Sequence, residues 1–144
     1  MNTYLPFTIE LVDNDGYHLF TNILVNNKLA RMVIDTGASK TVFDIELMKD
    51  YIDNFDDKFN ESDKLSAGLG GNSIKSYEIN VDSLKLNKLL INNYHSCLLD
   101  LQHVNNTYEQ LDMPKVLGVI GSDIFVKYNA NISFVSKKIK FEIK

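Results

Sequence analysis

Only one cysteine, Cys97, occurs in the 144 residues. No disulfide can form within the chain, which is compatible with a reducing compartment. Long hydrophobic runs are missing as well: nothing approaches the roughly 20 apolar residues of a membrane span. The opening Met1-Asn2-Thr3-Tyr4-Leu5-Pro6 has neither a basic n-region nor an apolar h-region. No secretory signal is therefore visible, and a cytoplasmic location is expected. An excess of basic charge is also absent. A net charge of -4 and a pI near 5.3 leave no electrostatic footprint for nucleic acid or for an anionic membrane. The histidines at 18, 95 and 103 lack the spacing of metal ligands, and no metal or cofactor is expected. What remains is an ordinary globular composition, 44% apolar and 24% charged. The length predicts one domain over 1–144, large enough to bury a core.

The most informative stretch is Met32-Val33-Ile34-Asp35-Thr36-Gly37-Ala38-Ser39-Lys40-Thr41-Val42-Phe43. Val33 and Ile34 are β-branched and predict the end of a buried strand. Gly37 permits a sharp turn just beyond. Asp35 is thus expected where a core strand breaks into a loop, with an apolar wall behind it. A bare Asp-x-Gly would be an ordinary polar turn. The longer string is more specific.

Elsewhere the pattern is mostly β. Alternation predicts strands over 5–12, with Pro6 near the start, over 18–25 and over 29–34, joined by turns at Asp13-Asn14-Asp15-Gly16 and Asn26-Asn27. Leu47, Met48, Tyr51, Ile52 and Phe55 repeat at helical spacing and predict an amphipathic helix over 44–55, capped by Asp44. The acidic exit at 53–57 has no Ca²⁺-loop spacing and is expected to be a surface loop. Three glycines among Gly68-Leu69-Gly70-Gly71 describe a hairpin tip, and the Gly-x-Gly-x-x-Gly or Gly-Lys-Ser/Thr of a phosphate loop does not appear. Strands are predicted over 77–86 and 89–99 about a turn at Asn87-Lys88. His95 and Cys97 would share one face of the second strand. With no orienting third group nearby, they are expected to be packed core residues rather than a nucleophile pair. Residues 100–115 are polar and predict a long loop with a helical turn near Tyr108. Val116 to Ile120 predicts a buried strand, and Ser122 is placed to cap a short helix. Strands over 131–135 and 138–143 end the chain, with Ile139, Phe141 and Ile143 on one face.

Asp35-Thr36-Gly37-Ala38-Ser39 behind an apolar strand, the glycine-rich hairpin, and Val119-Ile120-Gly121 before a short helix come in an order that resembles the aspartic peptidases. Ala38 after Gly37 is similar to the retroviral-type, retropepsin-like branch. The resemblance implies an all-β, closed acid-protease barrel with a flap hairpin and one or two short helices. It implies an aspartic endopeptidase acting on peptide or protein substrates without metal or cofactor. Asp35, Thr36 and Gly37 would be catalytic, and Ala38, Ser39, Gly68, Leu69, Gly70, Gly71 and Ile120 would contact substrate. No second Asp-Thr-Gly or Asp-Ser-Gly occurs, so the resemblance is to one lobe. It further implies a homodimer, with chain termini interleaved in a shared sheet. The rival is a non-catalytic peptide-binding or interaction module on the same fold. Lys40 stands where viral members often carry an acid, so substrate preference does not carry over. The segments after Phe43 and over 100–115 also make the chain longer than compact viral members.

Overall fold

Alternation over 5–12 predicts one strand, and the computed structural model splits it in two. β1 (Asn2–Pro6) and β2 (Thr8–Val12) flank Phe7 and enter different sheets. Pro6 has no N–H to give to a ladder. The Phe7 N–H leaves the strand to donate to Lys137 O at 3.0 Å, and its ring is buried. Pro6 therefore ends a strand instead of starting one. The structure describes residues 1–61, 66–67 and 73–143.

β3 (Gly16–Val25) and β4 (Lys28–Ile34) turn at Asn26 and Asn27, whose φ values of 49° and 65° are both left-handed. Two such residues make the mirror-image turn whose twist suits a hairpin, and Asn tolerates that region. The register runs from Val25 opposite Lys28 to Leu19 opposite Ile34. After β5 (Val42–Asp44) come a 3₁₀ turn at Leu47–Asp50, α1 (Phe55–Lys58) and β6 (Asn60–Glu61). β7 (Ser66–Ala67) pairs antiparallel with β8 (Ser73–Ile74). β9 (Tyr77–Leu86) and β10 (Leu89–Leu99) form the long hairpin as predicted. α2 (Gln102–Gln110), β11 (Gly118–Ile120), α3 (Ser122–Lys127), β12 (Asn131–Ser133) and β13 (Lys138–Glu142) complete the order.

The large sheet runs β2-β3-β4-β11-β5-β10-β9-β6. β3 also pairs with β9 through Leu24–Lys85 and Val25–Leu84. That second pairing closes six strands, β3-β4-β11-β5-β10-β9, into a barrel with β2 and β6 attached outside. Met32, Phe43, Leu84, Leu98 and Ile120 form its interior with no exposed surface. Each such side chain contributes roughly 1.5–3 kcal/mol by leaving water. The fold is thus mostly β with a closed barrel, as expected, and the described residues include three short α-helices where one or two were expected.

Two local expectations fail for identifiable reasons. No continuous helix covers 44–55. Asp44 ends β5 and is buried, its Oδ2 accepting from Leu47 N–H at 2.9 Å and its Oδ1 from Leu101 N–H at 2.8 Å. Met48, Ile52 and Phe55 do face the core, but the 3₁₀ turn ends at Asp50, and Asn54 at φ 56° separates it from α1. Conversely, the polar stretch after Asp100 is helix α2, not a loop. Val104, Tyr108, Leu111 and Met113 pack against Val12, Phe20, Val33 and Val116 on the outer face of the barrel. Asn105 is buried, and its side chain exchanges two hydrogen bonds with the Val116 backbone, at 3.0 and 2.8 Å. It thereby takes the place of a strand neighbour.

The third sheet has the order β1-β13-β12. Ile139 and Phe141 have no exposed surface and join the main core. Both edges of β13 are paired within the chain, to β1 on one side and β12 on the other. A free terminal edge at β13, which interleaving with a second copy would need, is absent. No helix among the described residues is long and apolar enough to cross a membrane.

Candidate active site

β4 runs parallel to β11, with Val33 opposite Val119 and Ile34 opposite Ile120. The Asp35 N–H adds one more rung by donating to Ile120 O at 3.0 Å, and then the chain turns away. Ala38 N–H closes the turn on Asp35 O at 3.1 Å, and Gly37 N–H donates to Asp35 Oδ1 at 2.9 Å. A carboxylate that accepts from the amide two residues ahead is held by its own turn. Asp35, Thr36 and Gly37 are all exposed. A Cβ on Gly37 would lie 3.3 Å from Asp35 Oδ1, so glycine leaves that oxygen uncrowded. The result is a carboxylate fixed in direction and open to solvent, able to accept a proton from water or to hold one for a bound carbonyl.

The far side of the loop is fastened to α3. Ala38 O accepts from Ser122 N–H at 2.8 Å and from the Ser122 hydroxyl at 3.1 Å. The sequence pattern makes Ser122 the cap of α3. In the structure Gly121 takes that position in extended backbone, and the Ser122 hydroxyl serves the loop instead. Asp123 Oδ1 accepts from both Thr41 N–H and Thr41 Oγ1, while Thr41 Oγ1 accepts from Gly121 N–H at 3.0 Å. The Tyr94 hydroxyl donates to Asp123 Oδ2. Burial, together with that bond to the Asp123 carboxylate, pushes the Tyr94 hydroxyl well above its ordinary range. Two glycines permit the close packing. A Cβ on Gly118 would lie 2.1 Å from Val42 O, and one on Gly121 would lie 2.6 Å from Lys40 C and O.

Of the residues singled out in the sequence, Asp35, Thr36, Gly37, Ala38 and Ser39 lie together on this loop. Ile120 lies beneath it, fully buried, and acts on it through its carbonyl. Gly68, Leu69, Gly70 and Gly71 lie outside the described residues. His95 and Cys97 are not core residues. His95 is exposed and pairs with Glu78 at 3.2 Å, and Cys97 is half-buried. Both line a cleft of about 490 Å³ beside the loop. The supporting residues Thr41, Tyr94, Gly118 and Asp123 escaped the sequence reading. The available signal was an Asp in the first turn of a helix that directly follows Gly121.

Comparison with known proteins bears on the family and the fold. A family profile described as aspartyl protease matches residues 21–124. A retropepsin-like aspartic protease from Rickettsia conorii superposes with a TM-score of 0.55 at 15% identity, covering 98% of this chain and 90% of that one. The retroviral protease-like domain of Ddi1 from Leishmania major gives 0.56 at 10% identity, over 86% of this chain and 87% of that one. The EIAV protease, solved with an inhibitor, gives 0.51 at 17% identity, over 80% of this chain and 91% of that one. At these identities the likeness is one of fold. No curated protein sequence gives a significant match.

Proposed function

Because the chain belongs to the aspartyl protease family and has the retropepsin-like fold, we propose that it is an aspartic endopeptidase whose catalytic pair is completed by Asp35 of a second copy. The observation that carries this reading is the exposed carboxylate of Asp35, aimed by the Gly37 amide on a loop anchored at both ends. Peptide hydrolysis of this type uses two carboxylates that share one proton. One takes a proton from the attacking water while the other gives its proton to the scissile carbonyl. Two like charges roughly 3 Å apart do not both ionise, so the pair titrates in two separated steps. A chain with one Asp-Thr-Gly supplies one half. A two-fold axis places equivalent residues together and supplies the other. In this reading the Thr36 hydroxyl bonds the two loops across the axis, and Gly37 lets substrate backbone approach. Ala38, Ser39 and the segment Gly68-Leu69-Gly70-Gly71 hold the peptide over the pair.

Peptide cleavage and solution mass, measured on the same samples, test the proposal. Asp35→Asn is expected to lower turnover by roughly 10²- to 10⁴-fold by removing general acid–base catalysis, with the fold retained by circular dichroism. Wild-type activity is expected to fall with dimer content on dilution and to yield to a pepstatin-type inhibitor. An Asp35→Asn chain that still cleaves at the wild-type rate rejects the assignment. A folded, inactive monomer at every concentration favours a non-catalytic binding module.

A further inference from the structure

β10 pairs with β9 on one side from Leu89 to Leu98, but with β5 on the other only from Cys97 to Leu99. Before Cys97 that second edge opens on the cleft of about 490 Å³ between β10 and α3. Every residue from 91 to 97 lines this cleft. Successive side chains of a strand point to opposite faces, so lining by all of them means that the cleft follows the strand's edge. The direction of the backbone groups there follows from β5. Leu99 O accepts from Ile45 N–H at 2.9 Å, and residues two apart present their backbone groups to the same side. Cys97 and then His95 therefore present N–H and C=O to this edge. A further rung at His95 would need the Thr41 N–H and the Ser39 carbonyl. Both are turned to α3 instead: Thr41 N–H donates to Asp123 Oδ1 at 2.8 Å, and Ser39 O faces the Ser122 hydroxyl at 3.5 Å. The ladder stops one rung short, and the donor and acceptor of His95 are left aimed into the cleft.

We propose that the β10 edge at His95 binds an extended segment of the peptide substrate as an added strand, outside the residues held at Asp35. The proposal rests on the peptidase reading for its occupant. An open edge is a template for another backbone. Charge does not choose the ligand, because the lining holds Glu78 and Asp123 together with Lys40 and Lys127. The edge is short, since Asn93 at φ 53° bends the strand and leaves 94–96 regular. A residue in a sheet fills about 160 Å³, from the strand rise and the strand and sheet spacings, so the cleft takes about three. Continuity with the Asp35 loop favours substrate as the occupant: Lys40 lines the cleft and directly follows Ser39. Lys40 stands five residues beyond Asp35, a reach of at most about 18 Å that about five or six extended substrate residues also cover.

Amide hydrogen exchange reads this edge without catalysis. In the Asp35→Asn chain alone, the His95 amide is expected to exchange freely while those of Tyr94 and Ser96, which point to β9, are protected. A blocked dodecapeptide of alternating valine and threonine, with a lysine at each end for solubility, is expected to protect the His95 amide. The same peptide with every amide N-methylated carries methyl groups on its pairing edges and is expected to leave that amide exposed. Kinetics adds a second readout. His95→Pro removes the N–H and His95→Ala keeps it, while both lose the side chain and its pair with Glu78. Proline is tolerated where the N–H points away from a ladder. For a cleaved dodecapeptide, KM is expected to be about fivefold higher in the Pro variant than in the Ala variant, at equal kcat. If the Pro variant unfolds, exchange in the Asp35→Asn chain decides alone. Slow exchange at His95 in the free chain, exchange that the peptide leaves unchanged, or equal protection by the methylated peptide overturns the proposal. Failure of the peptidase reading looks different: protection at His95 with no peptide hydrolysis by the wild-type chain rejects the enzyme and keeps the edge. Hydrolysis with His95 unprotected and equal KM in the two variants does the reverse.

Discussion

Asp123 on α3 and Thr41 at the exit of the Asp35 loop are joined twice through one oxygen. Asp123 Oδ1 accepts from the Thr41 N–H at 2.8 Å and from the Thr41 hydroxyl at 2.9 Å. Thr41 is buried, and its hydroxyl oxygen also accepts from Gly121 N–H. One carboxylate therefore sets where the loop ends, where α3 begins and, through Tyr94, where β10 lies. Such a network is valuable when complete and costly when one member is removed.

Asp123→Ala is expected to destabilise the protein by about 1–3 kcal/mol for each donor left buried without an acceptor. Asp123→Asn keeps one acceptor oxygen for Thr41 and should cost less. Urea unfolding of both variants checks the order. Equal midpoints for Ala and wild type would mean that the loop exit is held by other contacts.

Gly121→Ala tests the close approach itself. The added methyl would meet Lys40 C and O at 2.6 Å and Ala38 O at 2.8 Å, all backbone atoms that cannot rotate aside. Overpacking of this kind costs typically about 1–3 kcal/mol. Because the atoms displaced belong to the Asp35 loop, peptide turnover per folded molecule should also fall. A variant with wild-type stability and turnover would show that the loop shifts freely, contrary to the anchoring described.

The parts of this fold that were legible in the sequence are those fixed by local chemistry. The β9–β10 hairpin follows from two alternating runs around Asn87, which adopts φ 56°. The Asp35 turn follows from an apolar strand running into Asp-Thr-Gly. What escaped depends on contacts distant in sequence. α2 shows little beyond Val104, Tyr108 and Leu111 as an apolar stripe, because its polar Asn105 is satisfied by the Val116 backbone rather than by water. The helical spacing over 44–55 is genuine as a core face, yet Asp44 belongs to β5, the 3₁₀ turn stops at Asp50, and Asn54 in the left-handed region separates that turn from α1. The split at Phe7 arises from β13, more than a hundred residues away. Tyr94 and Asp123 meet only because β10 packs against α3, so neither residue alone signals the site.

Tyr94 gives an alkaline prediction. Its folded pKa is raised, by burial and by Asp123, above the roughly 10 of an unfolded tyrosine. The folded state then holds the proton more tightly, so stability from this group is complete below that unfolded value and is lost as pH rises through it toward the folded one. Denaturant midpoints should begin to fall at about pH 10 and keep falling above it. Tyr94→Phe should lower the midpoint at neutral pH and flatten part of the alkaline fall. Tyr51, Tyr108 and Cys97, whose pKa values are also raised by burial, contribute to the remainder. An unchanged alkaline slope in Tyr94→Phe would remove Tyr94 from the account.

The last strand separates folding from association. Interleaved termini, as the family resemblance implies, would make β13 an interface element whose loss yields a folded monomer. Here Ile139 and Phe141 are fully buried in the chain's own core, and both edges of β13 are paired internally. Removing two such side chains forfeits about 3–6 kcal/mol of burial, against a total stability of about 5–15 kcal/mol for a typical protein. Deleting residues 138–144 is therefore expected to unfold the chain, with loss of its circular dichroism at high and low concentration alike. The milder Phe141→Ala should cost about 3–5 kcal/mol and leave a folded protein with an early unfolding midpoint. A truncated chain that keeps its circular dichroism and becomes monomeric would show β13 to be an interface strand after all. An unfolded truncation would show β13 to be part of the chain's own core, as the burial of Ile139 and Phe141 implies.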